Sequence, residues 1–227
     1  MTDFFRFPHT PHIAWMGEGS PKGDKELTPP EVNELLASTV IVEEKVDGAN
    51  IGISIVEDNQ LQVQNRGQYL GQPYSGQFTR LNSWLGQHQF SLQNQLDSNC
   101  IVFGEWCAAR HSLDYDGLPD WFLLFDVYDR KAQAFWSVER RDKLAASLGL
   151  SAVPKLYQGK ASLPELMRLL NNSKSRYRNG SPEGIIIRKD SAQWCEGRAK
   201  LVRAEFTQTI EEHWRSRKIE WNRLSAY

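Results

Sequence analysis

Five apolar, strand-like stretches in this chain each carry an isolated charge that the local pattern does not account for. TVIVEEK ends on Lys45, CIVFGEW holds Glu105, WFLLFDVYD holds Asp126, Glu183 precedes GIIIRK, and AKLVRAEF holds Lys200. Lys, Glu and Asp are seldom buried unless they are paired or bound to something charged. All five lie beside strands, so the expectation is that they converge at one end of a sheet. A site with two lysines and several carboxylates suits a polyphosphate and its divalent metal. Taken singly, each residue is equally well read as half of a structural salt bridge.

The segments between these strands define the fold class. Residues 1–39 are rich in Pro and Gly and end in a short helix, PPEVNELLAS. NIGISIVE and LQVQN alternate apolar and polar residues on either side of a turn, the pattern of a hairpin with one buried face. Ten glutamines fall within residues 60–95, where Phe78, Leu81, Trp84, Leu85, Leu92 and Leu96 recur at helical spacing. This predicts an amphipathic helix with a Gln-rich outer face. SVERRDKLAASLGL and SLPELMRLL are further helices, the second opened by a Ser162–Glu165 capping box. A last helix is expected over 207–227, with capping-box spacing at Thr209 and Glu212 and a basic-aromatic face including His213, Trp214, Arg215, Arg217, Lys218, Trp221 and Arg223. Strands and helices mix without regular βαβ alternation. The class is therefore α+β with mainly antiparallel sheets, and one domain over 1–227 is expected, with neither repeat nor linker.

Composition narrows the setting. The formal net charge of −1 does not announce a nucleic-acid binder. It averages two unlike parts: residues 1–170 carry 15 Lys+Arg against 21 Asp+Glu, and residues 171–227 carry 12 against 7. A basic last quarter suits either a phosphate-rich partner or a solvated helix surface. Cys100, Cys107 and Cys195 fit neither a disulfide framework nor a zinc site. With no signal peptide and no membrane-spanning run, a cytoplasmic protein with reduced thiols is expected. His9 and His12 read as a structural loop. Arg110 and His111 follow the Glu105 strand and either reach a phosphate or form a loop salt bridge to Asp114 or Asp116.

The order of the segments carries a resemblance. Lys45-Val46-Asp47-Gly48 is followed by Asn65-Arg66-Gly67, Phe103-Gly104-Glu105-Trp106, Phe125-Asp126-Val127-Tyr128, Glu183-Gly184-Ile185-Ile186-Ile187-Arg188 and Lys200-Leu201-Val202-Arg203. The series resembles the covalent nucleotidyltransferases, the superfamily of DNA ligases, RNA ligases and capping enzymes, and most of all the ATP-dependent RNA ligases of the nick-sealing class. The resemblance implies an ATP-grasp-like nucleotidyltransferase core with flanking helices. It implies ATP and Mg²⁺ (or Mn²⁺) as cofactors, and RNA with 5′-phosphate and 3′-hydroxyl ends as partner. Lys45 would take AMP as a lysyl phosphoramidate, and Lys200 would hold the α-phosphate. Glu44 would read the adenine amino group, with Val46 and Asn50 also at the nucleotide. Arg66 would touch the ribose or phosphate and Glu105 the ribose hydroxyl, Phe125 would stack on adenine, and Glu183 would bind the metal.

Residue chemistry agrees with these roles. Deprotonating a free lysine at pH 7 costs about 4.6 kcal/mol, so a nucleophilic Lys45 needs cationic neighbours such as Lys200 and a metal. The chain departs from the family pattern twice. Asp47 stands where many RNA ligases have His, and Val202 stands where a second lysine is usual; strand alternation turns Arg203 to the opposite face from Lys200. Only 27 residues follow Lys200, so no OB-fold domain is expected, and a clamp partner or an end-healing kinase/phosphatase would complete the system. Two alternatives remain: a DNA-nick ligase, and a non-catalytic nucleotide-binding subunit of a repair complex.

Overall fold

A run of three β-branched residues, Val40, Ile41 and Val42, makes Val40–Lys45 a strand (β1), and the turn after it passes directly into a second, Ala49–Val56 (β2). The structure, a computed structural model, describes residues 4–21, 23, 25–207 and 219–226. In chain order, helix α1 (Pro29–Leu36) precedes β1, and β3 (Gln60–Asn65), α2 (Leu81–Gln95), β4 (Cys100–Trp106), β5 (Phe122–Asp129) and β6 (Ala134–Phe135) follow β2. Then come α3 (Val138–Leu148), β7 (Ser151–Ala152), β8 (Lys155–Gly159), α4 (Leu163–Asn172), β9 (Gly184–Asp190), β10 (Cys195–Val202) and the single turn α5 (Ala204–Thr207).

The strands form two sheets. One runs β10-β9-β1-β8, the other β3-β2-β4-β5-β6, with β7 beside β5. All pairs are antiparallel except β5 with β7. The fold is thus α+β, its strands in open sheets with no closed barrel among the described residues. No described helix is long and apolar enough to cross a membrane.

Each sheet is apolar on its outer face. In the smaller sheet, Val40, Val42, Ile185, Ile187, Ala199 and Leu201 pack with Leu35 of α1 and Leu166 and Leu170 of α4. In the larger, Ile51, Ile53, Val102 and Trp106 pack with Leu81, Trp84 and Leu92 of α2 and Leu148 of α3. Side chains alternate along a strand, so the intervening residues face the other way. On the smaller sheet these are Glu43, Lys45, Ile186, Arg188, Arg198 and Lys200, aligned by the registers Glu43↔Ile186↔Lys200 and Ile41↔Arg188↔Arg198. On the larger they include Asn50, Gln64, Phe103 and Glu105, aligned by Asn50↔Glu105 and Gly52↔Phe103. These inner faces, which carry charged and amide groups beside apolar residues such as Ile186 and Phe103, look toward each other.

A buried charge network clasps them. Arg188 gives one N–H to Asp126 Oδ1 at 2.7 Å and another to the Trp136 carbonyl at 2.9 Å. Arg198 pairs with the other oxygen of Asp126. Arg141 of α3 donates to Glu43 Oε1 at 2.6 Å and to the Phe125 carbonyl at 2.9 Å. Arg141 and Arg188 are 1% exposed, and Glu43 and Asp126 2%. A register shift opposite Phe103/Gly104 leaves Phe125 as a bulge in β5, and its carbonyl also accepts from Arg188.

Residues 4–13 cross both sheets. Phe5 stacks on Tyr128 with centroids 3.6 Å apart, and Phe7 packs on Phe103 and Phe125. Further on, the Lys200 N–H donates to the Pro11 carbonyl at 2.8 Å and the Ile13 N–H to the Lys200 carbonyl at 2.9 Å. The loop containing His12 is thus anchored to β10 through its backbone.

The structure departs from the sequence reading at several points. The strand expected over AKLVRAEF stops at Val202, and Ala204–Thr207 is helical. Of the helix expected over 207–227, residues 208–218 lie outside those described, Thr209 and Glu212 among them, while 219–226 are extended. There Asn222 Nδ2 donates to the Cys107 carbonyl at 2.8 Å, and Trp221 bridges to Ala109. Arg110 pairs with Glu220 at 2.7 Å instead of with Asp114 or Asp116.

Removing one member of a buried ion pair strands the others, at a cost of about 3–5 kcal/mol. Asp126→Ala is accordingly expected to lower the unfolding free energy by about 3 kcal/mol or more in urea titration. A loss below about 1 kcal/mol would place Asp126 outside any role in joining the sheets.

Candidate active site

The turn from β1 to β2 carries the chain from one sheet to the other, so Lys45 stands at the point of crossing. Gly48 is required there: a Cβ would lie 2.5 Å from the Trp106 carbonyl oxygen. Asp47 anchors the turn to the 110–116 loop, its Oδ2 accepting the N–H groups of Ser112 (2.7 Å) and Leu113 (3.0 Å). The Asp47 N–H in turn donates to the buried Tyr115 hydroxyl at 2.9 Å. Whatever else Asp47 does, it holds the turn in shape.

Lys45 Nζ lies 2.6 Å from Glu183 Oε2, across the step from β1 to the residue before β9. Glu105 and Asp47 add negative charge, and together the carboxylates outweigh burial and raise the Lys45 pKa. Burial pushes Glu183 upward, against the pull of Lys45 and, more weakly, Lys200. Burial likewise raises Glu105, to about 8, although Lys45 opposes it and Arg66 opposes it more weakly. Lys45, Glu105, Glu183, Lys200 and Arg66 therefore share one electrostatic neighbourhood. Asn50 sits directly opposite Glu105 in the β2–β4 register. Asn50 Oδ1 and Arg66 Nε are both buried without a hydrogen-bond partner. Unpaired polar atoms are costly in a folded interior, and two of those in this structure lie beside the charge cluster.

Other sequence-selected residues lie apart from the cluster. Glu44 faces the opposite way along β1 and is bound by Ser175 Oγ (2.5 Å) and the Arg176 N–H (2.9 Å); burial raises its pKa against these bonds. Val46 is 5% exposed and packs with Cys107, Leu113 and Tyr115. The Phe125 ring is half-buried, edge-on to Phe7 at 5.3 Å. Asp126 belongs to the clasp, so four of the five strand-associated charges converge, not five. Arg203 lies just past the end of β10 and is turned away from the cluster, donating to the Leu170 carbonyl at 2.7 Å at the end of α4. Sequence reasoning gave no role to Tyr115, or to the contact between His111 Nε2 and Gln77 Oε1 at 2.7 Å. His111 lies within electrostatic reach of Asp47 and Lys45, and its position after the Glu105 strand was the available signal.

A family model described as RNA ligase matches residues 38–202. The chain belongs to the RNA ligase family. Several solved RNA ligase structures from Naegleria gruberi are similar to this RNA ligase family member. A variant with ATP and Mn is 16% identical, with a TM-score of 0.58 over 81% of this chain and 55% of that one. A variant with AMP and Mn is 15% identical, with a TM-score of 0.60 over 91% and 64%. A third structure, with PPi, is 20% identical, with a TM-score of 0.57 over 78% and 53%. At this identity the likeness is one of fold, and the chain spans only 53–64% of the length of these structures. Curated protein sequences give no match.

The raised Glu105 pKa predicts a pH-dependent stability. In the unfolded chain the carboxyl ionises near its usual 4.5, in the folded protein near 8. The folded state thus holds the extra proton between these values, and stability falls as pH rises across that window. Glu105→Gln removes this dependence, so the stability of the variant relative to the parent should increase from pH 5 to pH 8 in denaturant titrations. A difference independent of pH would contradict the assignment.

Proposed function

We propose that this RNA ligase family member joins RNA ends by way of a lysyl-AMP intermediate. The observation that carries the reading is the Lys45–Glu183 contact of 2.6 Å at the crossing between sheets, with Glu105, Arg66 and Lys200 around it. Lys45, whose ammonium form the neighbouring carboxylates favour, gives up a proton to solvent before its neutral amine attacks the α-phosphorus of ATP, and the nitrogen loses a second proton to solvent as the phosphoramidate forms. A P–N bond forms, the bond to the bridging oxygen breaks, and pyrophosphate leaves. AMP passes from Lys45 to an RNA 5′-phosphate, and a 3′-hydroxyl then displaces AMP to form the phosphodiester. Much of such catalysis is positioning and charge neutralisation.

Lys200, one row along the inner face from Lys45, would hold the α-phosphate, Arg66 Nε would donate to a ribose or phosphate oxygen, and Asn50 Oδ1 would accept from a hydroxyl of the nucleotide. Glu105 would accept from a ribose hydroxyl and Phe125 would offer its ring to the adenine, whereas Glu44 and Val46, on the other face of β1 from Lys45, would reach the nucleotide only beyond the edge of the strand, Glu44 toward the adenine amino group. A divalent ion fits the donor set. No cage of three or more His, Cys, Asp or Glu exists among the described residues, and Mg²⁺ commonly takes only one or two carboxylates, completed by phosphate oxygens and water. Glu183 would hold it, and bound there it would neutralise phosphate charge. On this reading the protein works in the cytoplasm in RNA repair. An end-healing kinase/phosphatase or a clamp protein would supply prepared ends or added grip.

Incubation with α-labelled ATP and Mg²⁺ should label the protein covalently, and Lys45→Ala should abolish the label. Persistence of label in that variant would overturn the role of Lys45. Chasing the labelled protein with nicked RNA and nicked DNA should give joined RNA in preference to joined DNA. Accumulation of 5′-adenylated RNA with little joined product would instead assign end activation without sealing.

A further inference from the structure

The Gln-rich stretch is not absorbed by the site at Lys45. Some of its amides are structural: Gln64 donates to the Phe5 carbonyl, and Gln93 to the Asn59 carbonyl. Others gather elsewhere. Gln60, Gln72, Tyr74, Asn82, Gly86 and Gln89 border an open groove of about 340 Å³ between β3 and α2. An adjoining hollow of about 450 Å³ shares Gln72, Tyr74 and Asn82. Both volumes fall within the range of small-ligand sites.

The lining excludes some ligands and favours others. It has no charged residue, so it is not built for phosphate. A primary amide presents a donor and an acceptor side by side, the pattern that pairs with the edge of a nucleobase. A tyrosine ring supplies a face on which a base stacks. Gly86 adds an independent observation. It sits in the interior of the 15-residue helix α2, where glycine weakens a helix relative to alanine. Packing does not require it, since a Cβ there would meet nothing within 4 Å. The missing side chain leaves open space on the helix where it borders the groove, room that a planar ring can occupy.

We propose that this groove holds unstacked bases of a single-stranded segment of the RNA substrate, an inference that rests on the RNA-joining reading above. The site at Lys45 would act on the phosphate ends, and the groove would grip bases without regard to backbone charge.

The test compares binding of a single-stranded RNA oligonucleotide and an abasic oligonucleotide of the same backbone by fluorescence anisotropy. The proteins are the full chain, Gly86→Leu, and the triple variant Gln72→Ala/Asn82→Ala/Gln89→Ala, each also labelled with α-labelled ATP. The parent should bind the base-bearing strand about tenfold more tightly than the abasic one. Both variants should lose most of that difference while keeping the parent's salt dependence and its labelling at Lys45. The triple variant alters only exposed residues, so it keeps the test valid if Gly86→Leu misfolds. Variants that retain the parent's preference for bases, or a parent without such a preference, would overturn the groove assignment. Failure of the parent to label would instead overturn the lysyl-AMP reading, and the comparison of the two oligonucleotides would still stand.

Discussion

The buried clasp of Glu43, Arg141, Arg188, Asp126 and Arg198 is the interaction on which the rest of the molecule depends. Each sheet already buries its outer apolar face under helices, and the inner faces meet around a small buried cluster of Phe7, Ile101 and Phe103. Charge pairing joins the two sheets directly. Three guanidinium groups, two carboxylates and the bulged Phe125 carbonyl share hydrogen bonds across the gap. Burying such a set is costly unless nearly every lone pair and proton is used. The β5 bulge helps by exposing one carbonyl to two arginines. The network also fixes the spacing of the sheets, and with it the distance from Lys45 on one sheet to Glu105 on the other.

Clasp and candidate site are two ends of a single pattern. Strand alternation puts Glu43 and Lys45 on the same face of β1, and Arg198 and Lys200 on the same face of β10. One step along each strand separates a residue that holds the sheets together from one in the candidate site. In the clasp both carboxylates are committed to arginines, and Arg188 Nε is buried without a hydrogen-bond partner. In the site Asn50 Oδ1 and Arg66 Nε likewise have none, and burial pushes the carboxyl groups of Glu105 and Glu183 toward neutrality. The two ends thus differ in their carboxylates, paired with guanidinium groups in the clasp and raised in pKa in the site.

That distinction also explains what could be read from sequence. The strands from Val40 to Val56, and Cys100 to Trp106, were legible because runs and alternation of β-branched residues are local signals, and the Ser162–Glu165 capping box was legible for the same reason. The convergence of Lys45, Glu105, Glu183 and Lys200 was legible only as an ordered series of short segments. Asp126 looked the same as these in sequence, since an isolated carboxylate on an apolar strand does not reveal its partner; Arg188 and Arg198 lie 62 and 72 residues away. The short strands β6, β7 and β8 went unread because edge pairing over two to five residues leaves almost no local pattern. The helical turn at Ala204–Thr207 was hidden because AKLVRAEF runs strand and helix together without a breaker.

The N-terminal segment shows how a stretch with no regular structure can still set the geometry of the site. β10 is an edge strand, and an edge strand presents unpaired backbone groups along one side. At Lys200 those groups are satisfied: β9 pairs on one side through Ile186, and Pro11 and Ile13 bond to the Lys200 N–H and carbonyl on the other. The same segment is pinned upstream by Phe5 and Phe7 on the opposite sheet. Lys200 therefore has its backbone held from both sides by elements that are themselves tied to the two halves of the fold. A flexible cationic side chain placed on such a backbone loses less of its orientation to edge fraying, which is the property a residue needs if it is to meet a phosphate at a fixed distance from Lys45.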